Sequence, residues 1–124
     1  MSAAAERLLR QLFRDTPHAG RGDGVGWVQG EASEPLSATR VRWHLRGERG
    51  RIVEARYEVR GCPYTIAAAA LAAGSLAGRP LTAAGLDLEE LACRIGAPPT
   101  KMGRFFVIQD ALREALLLLA APRA

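Results

Sequence analysis

The chain has 124 residues, 48% of them apolar and 24% charged, with a net charge of +4. That length suits one domain, spanning 1–124, and that apolar share builds a core, so a disordered chain is excluded. Two cysteines are too few for a disulfide framework, and no apolar run longer than Ile66–Ala73 is present, far short of a bilayer span. The charged start at Glu6, Arg7 and Arg10 is no secretory leader, so a cytoplasmic, membrane-free protein is expected. The positive charge does not point to nucleic acid: arginines are interleaved with glutamates, and no helix-turn-helix, zinc-finger or RNA-binding signature accompanies them.

A first helix is predicted over Ala3–Asp15, where Leu8, Leu9, Leu12 and Phe13 form an apolar stripe at helical spacing. Residues 16–35 are rich in Gly and Pro and read as loop, with a short edge strand around Trp27 and Val28. The run GRGDGVG at 20–26 has neither the glycine spacing nor the preceding strand of a dinucleotide site.

Thr39–Arg46 alternates as a strand, with Val41, Trp43 and Leu45 on one face and Arg40, Arg42, His44 and Arg46 on the other. Gly47–Gly50 is a turn. Ile52–Arg60 alternates again, placing Val53, Ala55, Tyr57 and Val59 toward the core and Glu54 and Glu58 across from arginines. Pro63–Ala77 reads as a small-residue helix stopped at Gly78. Asp87 and Glu90 form a capping box for a helix through Leu88, Leu91, Ala92 and Ile95, closed by Gly96. Thr100 is the expected cap of a last helix reaching about Leu119, with Phe105, Ile108, Leu112, Leu116 and Leu119 as its core stripe. The closing APRA reads as a frayed tail. Grouped strands followed by grouped helices predict an α+β fold: a leading helix, a three-stranded antiparallel sheet, then helices packed on one sheet face.

Cys62 falls at the N-cap of the helix that starts at Pro63. Cysteine caps poorly through hydrogen bonds, yet free N–H groups and the helix dipole favour a thiolate there, and a thiolate is both nucleophile and metal ligand. A small apolar residue filling a tight strand-to-helix junction is the competing reading. Cys93 lies off its helix's apolar stripe and is read as non-functional. No Cys-x-x-Cys spacing exists, and no Ser/His/Asp or Cys/His arrangement supports an enzyme.

Three segments in order carry a family resemblance: FRDTPHAG at 13–20, IVEARYEVRGCPYTIAAAALAAGSLAGRPL at 52–81, and GAPPTK at 96–101. They are similar to the Asn-Pro-x-Asn-x-Gly stretch, the Gly-Cys turn with its small-residue helix, and the Pro-Pro-x-Lys motif of the NifU-like (IscU-type) iron–sulfur cluster scaffold family. The resemblance implies a part in building a transient iron–sulfur cluster, with a cysteine desulfurase as sulfur source. It makes Cys62 the middle of three ligand cysteines. It also implies that Pro98, Pro99 and Lys101 form a chaperone-recognition segment for a heat-shock chaperone; an ordinary proline-marked helix start is the alternative.

The remaining ligands do not carry over. Leu36, Ser37 and Ala38 stand at the expected cysteine, glycine and aspartate, and Gly103 and Arg104 stand at the expected His-Cys pair. If that geometry holds, Arg104 is the charge partner of the Cys62 thiolate. Three readings follow: a scaffold for a cluster, iron or zinc that borrows ligands from a second copy in a homodimer, a partner or a small thiol; a persulfide acceptor at Cys62; or a non-catalytic interaction module that docks on the assembly machinery and regulates it without metal.

Overall fold

A computed structural model describes residues 2–121. It contains α1 (Ala3–Asp15), β1 (Trp27–Glu34), β2 (Thr39–Glu48), β3 (Arg51–Arg60), α2 (Pro63–Leu76), α3 (Leu88–Ile95) and α4 (Met102–Ala120), with 3-10 turns at Leu81–Ala83 and Pro99–Lys101. The strands form one antiparallel sheet in the order β1-β2-β3. This is the expected α+β order. Of the closing tail, residues 122–124 lie outside the described residues. Among those described, no helix is long and apolar enough to cross a membrane.

The alternation of β2 sorts the two sheet faces. Val41, Trp43 and Leu45 are fully buried, and α4 packs over β1 and β2 while α2 packs over β3. The alanines of α2, from Ala67 to Ala73, let that helix sit deep in the same core. Trp43 ties sheet to helix by donating its Nε1–H to the Ile108 carbonyl at 3.0 Å. Gly30, opposite Trp43 on β1, has no side chain because the backbone of α4 at Ala111 and Ala115 occupies that space. Tyr57 packs edge-on against Trp43. Its hydroxyl has no hydrogen-bond partner among the described residues, and burial pushes its pKa up to about 12.

The outer face carries the charges in the expected cross-strand pairs, Arg42 opposite Glu58 and Arg46 opposite Glu54. His44, expected on this wet face, is only 3% exposed because the loop at Gly22 folds over it. Its Nδ1 lies 3.2 Å from the Gly22 carbonyl and its Nε2 2.7 Å from Glu58. That bond with His44 holds Glu58 below the usual carboxylate range against the opposing effect of burial, and Arg21 adds to it.

Four expectations are corrected. The edge strand runs on to Glu34 rather than stopping near Gly30. Val53 is exposed and Ile52 buried, because a bulge opposite Arg46 and Gly47 reverses the alternation of β3. Phe13 is 46% exposed, since α1 buries the face of Ala5 and Leu12. Thr100 does not cap α4: it lies inside the 3-10 turn, and Lys101 holds the cap position without a side-chain bond. The remaining helix ends agree, with Asp87 accepting from the Glu90 N–H and Gly96 in the left-handed conformation after α3.

Candidate functional site

The site forms where β3 hands over to α2. Gly61 allows this junction to close, because a Cβ there would press on Thr65 at 3.3 Å. Cys62 follows in extended conformation as the N-cap of α2, and Pro63 opens the helix with no N–H to leave unpaired. The thiol is half-buried, and its Sγ lies 3.4 Å from the hydroxyl of the fully buried Thr65. Cys62 makes no well-formed side-chain capping bond, although the N–H groups of Thr65 and Tyr64 act on the sulfur.

Several influences act on this thiol. Burial is the largest and raises its pKa. The Thr65 hydroxyl, the N–H groups of Thr65 and Tyr64 at the helix mouth, and the Arg104 guanidinium all lower it and together prevail. Cys62 therefore ionises below the ordinary thiol value, as expected for a nucleophile or soft ligand rather than an inert core thiol.

Arg104, half-buried in the first turn of α4, acts on Glu34 as well as on Cys62. Glu34 ends β1 and fastens the turn to β2. Its carboxylate accepts from the Leu36 N–H at 2.8 Å, the Ser37 N–H at 2.7 Å and the Ser37 hydroxyl. The Ser37 hydroxyl, then the two N–H groups, hold Glu34 below the usual carboxylate range, with burial opposing and Arg104 assisting. Ser37 also meets the hydroxyl of buried Thr39 at 2.8 Å. This braced turn holds Leu36 out into solvent, 99% exposed.

Of the positions at which the resemblance expects ligands, only Cys62 carries a thiol. Leu36, Ser37 and Ala38 offer no soft donor, Gly103 has no side chain, and Arg104 brings a fixed cation where a ligand is needed. Among the described residues no three of His, Cys, Asp and Glu come together to hold a metal ion. His44 is engaged on the outer sheet face, and Cys93 is exposed on α3. The donor set of this chain does not fit an iron–sulfur cluster by itself.

Pro98 is extended, Pro99 opens the 3-10 turn, and the ammonium of Lys101 stands 6.0 Å above the Tyr64 ring, two residues from Cys62. The Pro-Pro-x-Lys segment thus meets the first turn of α2 through Lys101 and Tyr64. Sequence reasoning singled out Cys62, Arg104 and this segment and did not single out Thr65 or Glu34, which the structure places beside Cys62 and in the turn before β2. The three-residue spacing from a helix N-cap was the available signal for Thr65. Glu34 had only its place two and three residues before the N–H groups it binds.

Comparisons with known proteins agree with this fold. The family model described as "NifU-like N terminal domain" matches residues 9–121. No curated protein matches the chain. Among solved structures, a candidate iron–sulfur cluster assembly scaffold protein for the SUF system from Fervidobacterium islandicum superposes with a TM-score of 0.73 at 13% identity, covering 88% of this chain and 93% of that one. A protein described only as hypothetical gives 0.72 at 16% identity, covering 91% and 96%. The N-terminal part of a NifU-like protein from Brucella abortus gives 0.65 at 12% identity, covering 90% and 94%. Identities this low establish the fold, and the family model, which spans most of the chain, establishes the lineage: the protein belongs to the NifU-like N-terminal domain family.

Proposed function

We propose that this chain serves iron–sulfur cluster assembly as a non-enzymatic sulfur acceptor, with Cys62 taking sulfane sulfur from a cysteine desulfurase in the cytoplasm. One observation carries the reading: a half-buried thiol favoured as thiolate stands at a helix mouth whose other ligand positions are Leu36, Gly103 and Arg104. The Cys62 thiolate attacks the outer sulfur of the desulfurase persulfide. A new S–S bond forms at Sγ as the donor's own S–S bond breaks. The donor cysteine leaves as a thiolate, and the hydrogen travels with the transferred sulfur. The exchange needs no oxidant or reductant. Arg104 would favour the Cys62 thiolate before transfer and the persulfide anion once the product S–SH gives up its proton.

A cluster, iron or zinc held at Cys62 would require ligands from a second copy, a partner or a small thiol. The second reading, a docking module that regulates the assembly machinery without carrying sulfur, draws support from the same replacements, since Leu36 and Arg104 suit contact better than coordination. In either reading Pro98, Pro99 and Lys101, whose lysine reaches the Tyr64 ring on the first turn of α2, are the segment offered to a heat-shock chaperone.

Incubation with a cysteine desulfurase and L-cysteine, followed by intact mass measurement, separates the two. Wild type and Cys93→Ala are expected to gain the mass of one sulfur atom, and Cys62→Ala none. A wild type that gains nothing would reject the acceptor reading and leave the docking module or a cluster completed by outside ligands.

A further inference from the structure

Both nitrogens of the His44 ring face acceptors: Nδ1 the Gly22 carbonyl at 3.2 Å, and Nε2 a Glu58 oxygen at 2.7 Å. A carbonyl can only accept, so Nδ1 carries a proton. Glu58 is a carboxylate, since His44 and then Arg21 hold it below the usual range against burial, and the Arg21 Nε–H bonds its other oxygen at 3.1 Å. Nε2 therefore carries a proton as well, and the ring is an imidazolium. Because the ring is almost fully buried, water offers no easy substitute for either partner.

The bond to Gly22 fastens a loop to the sheet. The Arg21 carbonyl accepts from Arg56 and the Gly22 carbonyl from the Gln29 amide, each at 2.8 Å. Just before them the Gly20 N–H donates to the Tyr57 carbonyl at 2.9 Å, and the Tyr57 N–H donates to the His18 carbonyl at 3.4 Å. The loop thus covers the edge of β3, the outermost strand on that side. Arginine, amide and backbone groups keep their protons through neutrality, whereas imidazole is the side chain that changes charge there.

Charges surround the ring from each element packed on it. Arg42, Arg46 and Arg56 are committed to Glu31, Glu48 and Glu54, and Arg21 shares Glu58 with the ring. Asp23 of the loop and Glu114 of α4 line the hollow beside the ring and favour its charge.

We infer that His44 is a pH-sensitive clasp: holding both protons it fastens the 18–24 loop to the outer face of the sheet, and on giving one up it loosens that loop and bares the edge of β3 at Tyr57. A ring with one proton turns a lone pair toward either Gly22 or Glu58. The fastened loop therefore binds a proton that the loosened loop binds less well, so it is favoured at low pH and lost as pH rises through neutrality. Glu58 sets the acid limit: its contribution is present above the unfolded carboxylate value and is lost as pH falls through the lower, folded one. The strand so bared runs straight into Gly61 and Cys62.

The test is amide hydrogen exchange of the full chain, read by NMR at about pH 6 and about pH 8 and corrected for intrinsic rates. In wild type the Gly20 and Tyr57 amides are expected to be several-fold better protected at the lower pH, with those of Val41 and Leu45 in the central strand unchanged. His44→Gln, which offers one donor and one acceptor in place of two donors, should abolish the difference. His18→Asn, which removes the loop's own imidazole and suits its left-handed backbone, should keep it. The ring nitrogens of wild-type His44, read in the same samples, need no variant: both should carry protons at the lower pH and only one at the higher. Protection independent of pH in wild type, the same difference in His44→Gln, or its loss in His18→Asn would overturn the clasp. So would a His44 ring with one proton at the lower pH, or one unchanged between the two.

Discussion

Gly30→Val is expected to destabilise the protein by about 3 kcal/mol and to lower its melting temperature by roughly 10 °C. The cause is a direct approach of backbone to backbone. A Cβ at Gly30 would overlap the Ala115 amide and the Ala111 carbonyl of α4, and a helix backbone cannot yield as a flexible side-chain tip can. Either α4 lifts off β1, exposing Ala111, Ala115 and Ile108, or β1 leaves the sheet beside Trp43. Each route opens the core along its length. Gly103→Ala provides a contrast. Nothing lies within 4 Å of its added Cβ, and the position is helical, so that substitution should stabilise by up to about 1 kcal/mol. Thermal denaturation of both variants checks the argument, and equal melting temperatures would contradict it.

Arg104→Leu and Thr65→Val should each move the pH midpoint of Cys62 alkylation upward. In the wild type burial raises the thiol pKa, and the Thr65 hydroxyl, the helix-mouth N–H groups and Arg104 outweigh it. Removing the guanidinium or the hydroxyl deletes a lowering influence and leaves burial in place. The folded-state pKa then rises, the thiolate fraction at neutral pH falls, and the alkylation rate there drops several-fold. Thr65→Ser, which keeps the hydroxyl, should stay near wild type. Because the folded pKa lies below the unfolded one, the thiolate's contribution to stability is present above the unfolded thiol pKa and is lost as pH falls through the folded value. An unchanged midpoint in Arg104→Leu would show that its charge does not reach the sulfur.

The fold was legible where side chains advertise their environment. Val41, Trp43 and Leu45 announced the buried face of β2, Asp87 and Gly96 announced the ends of α3, and Pro63 announced the start of α2. It was not legible where small residues carry the pattern. The inner face of β1 is Val28, Gly30 and Ala32, and its glycine reads as loop until the α4 backbone that fills its place is known. The bulge that exchanges Ile52 and Val53 belongs to the pairing of two strands and leaves no mark on either alone. His44 looked solvated because its burial depends on a distant loop at Gly22.

The site was half legible. Cys62 stood out by its place before a proline, and Arg104 entered through the family resemblance alone. The Arg104 guanidinium on the first turn of α4 lies within electrostatic reach of both Glu34 and Cys62, as the smallest of the influences on each. Glu34 spends its carboxylate on the turn that carries Leu36, so it is not free to bind metal.

The form in which Cys62 holds sulfur is the most direct measurement. The protein would be incubated anaerobically with desulfurase, L-cysteine and ferrous iron, desalted, and assayed together for sulfane sulfur, acid-labile sulfide and iron. The account predicts sulfane sulfur approaching one equivalent in wild type, none in Cys62→Ala, and no stoichiometric iron in either. Iron and acid-labile sulfide bound in equal amounts, and lost in Cys62→Ala, would contradict it and show a working cluster scaffold that completes its ligand set from outside the chain.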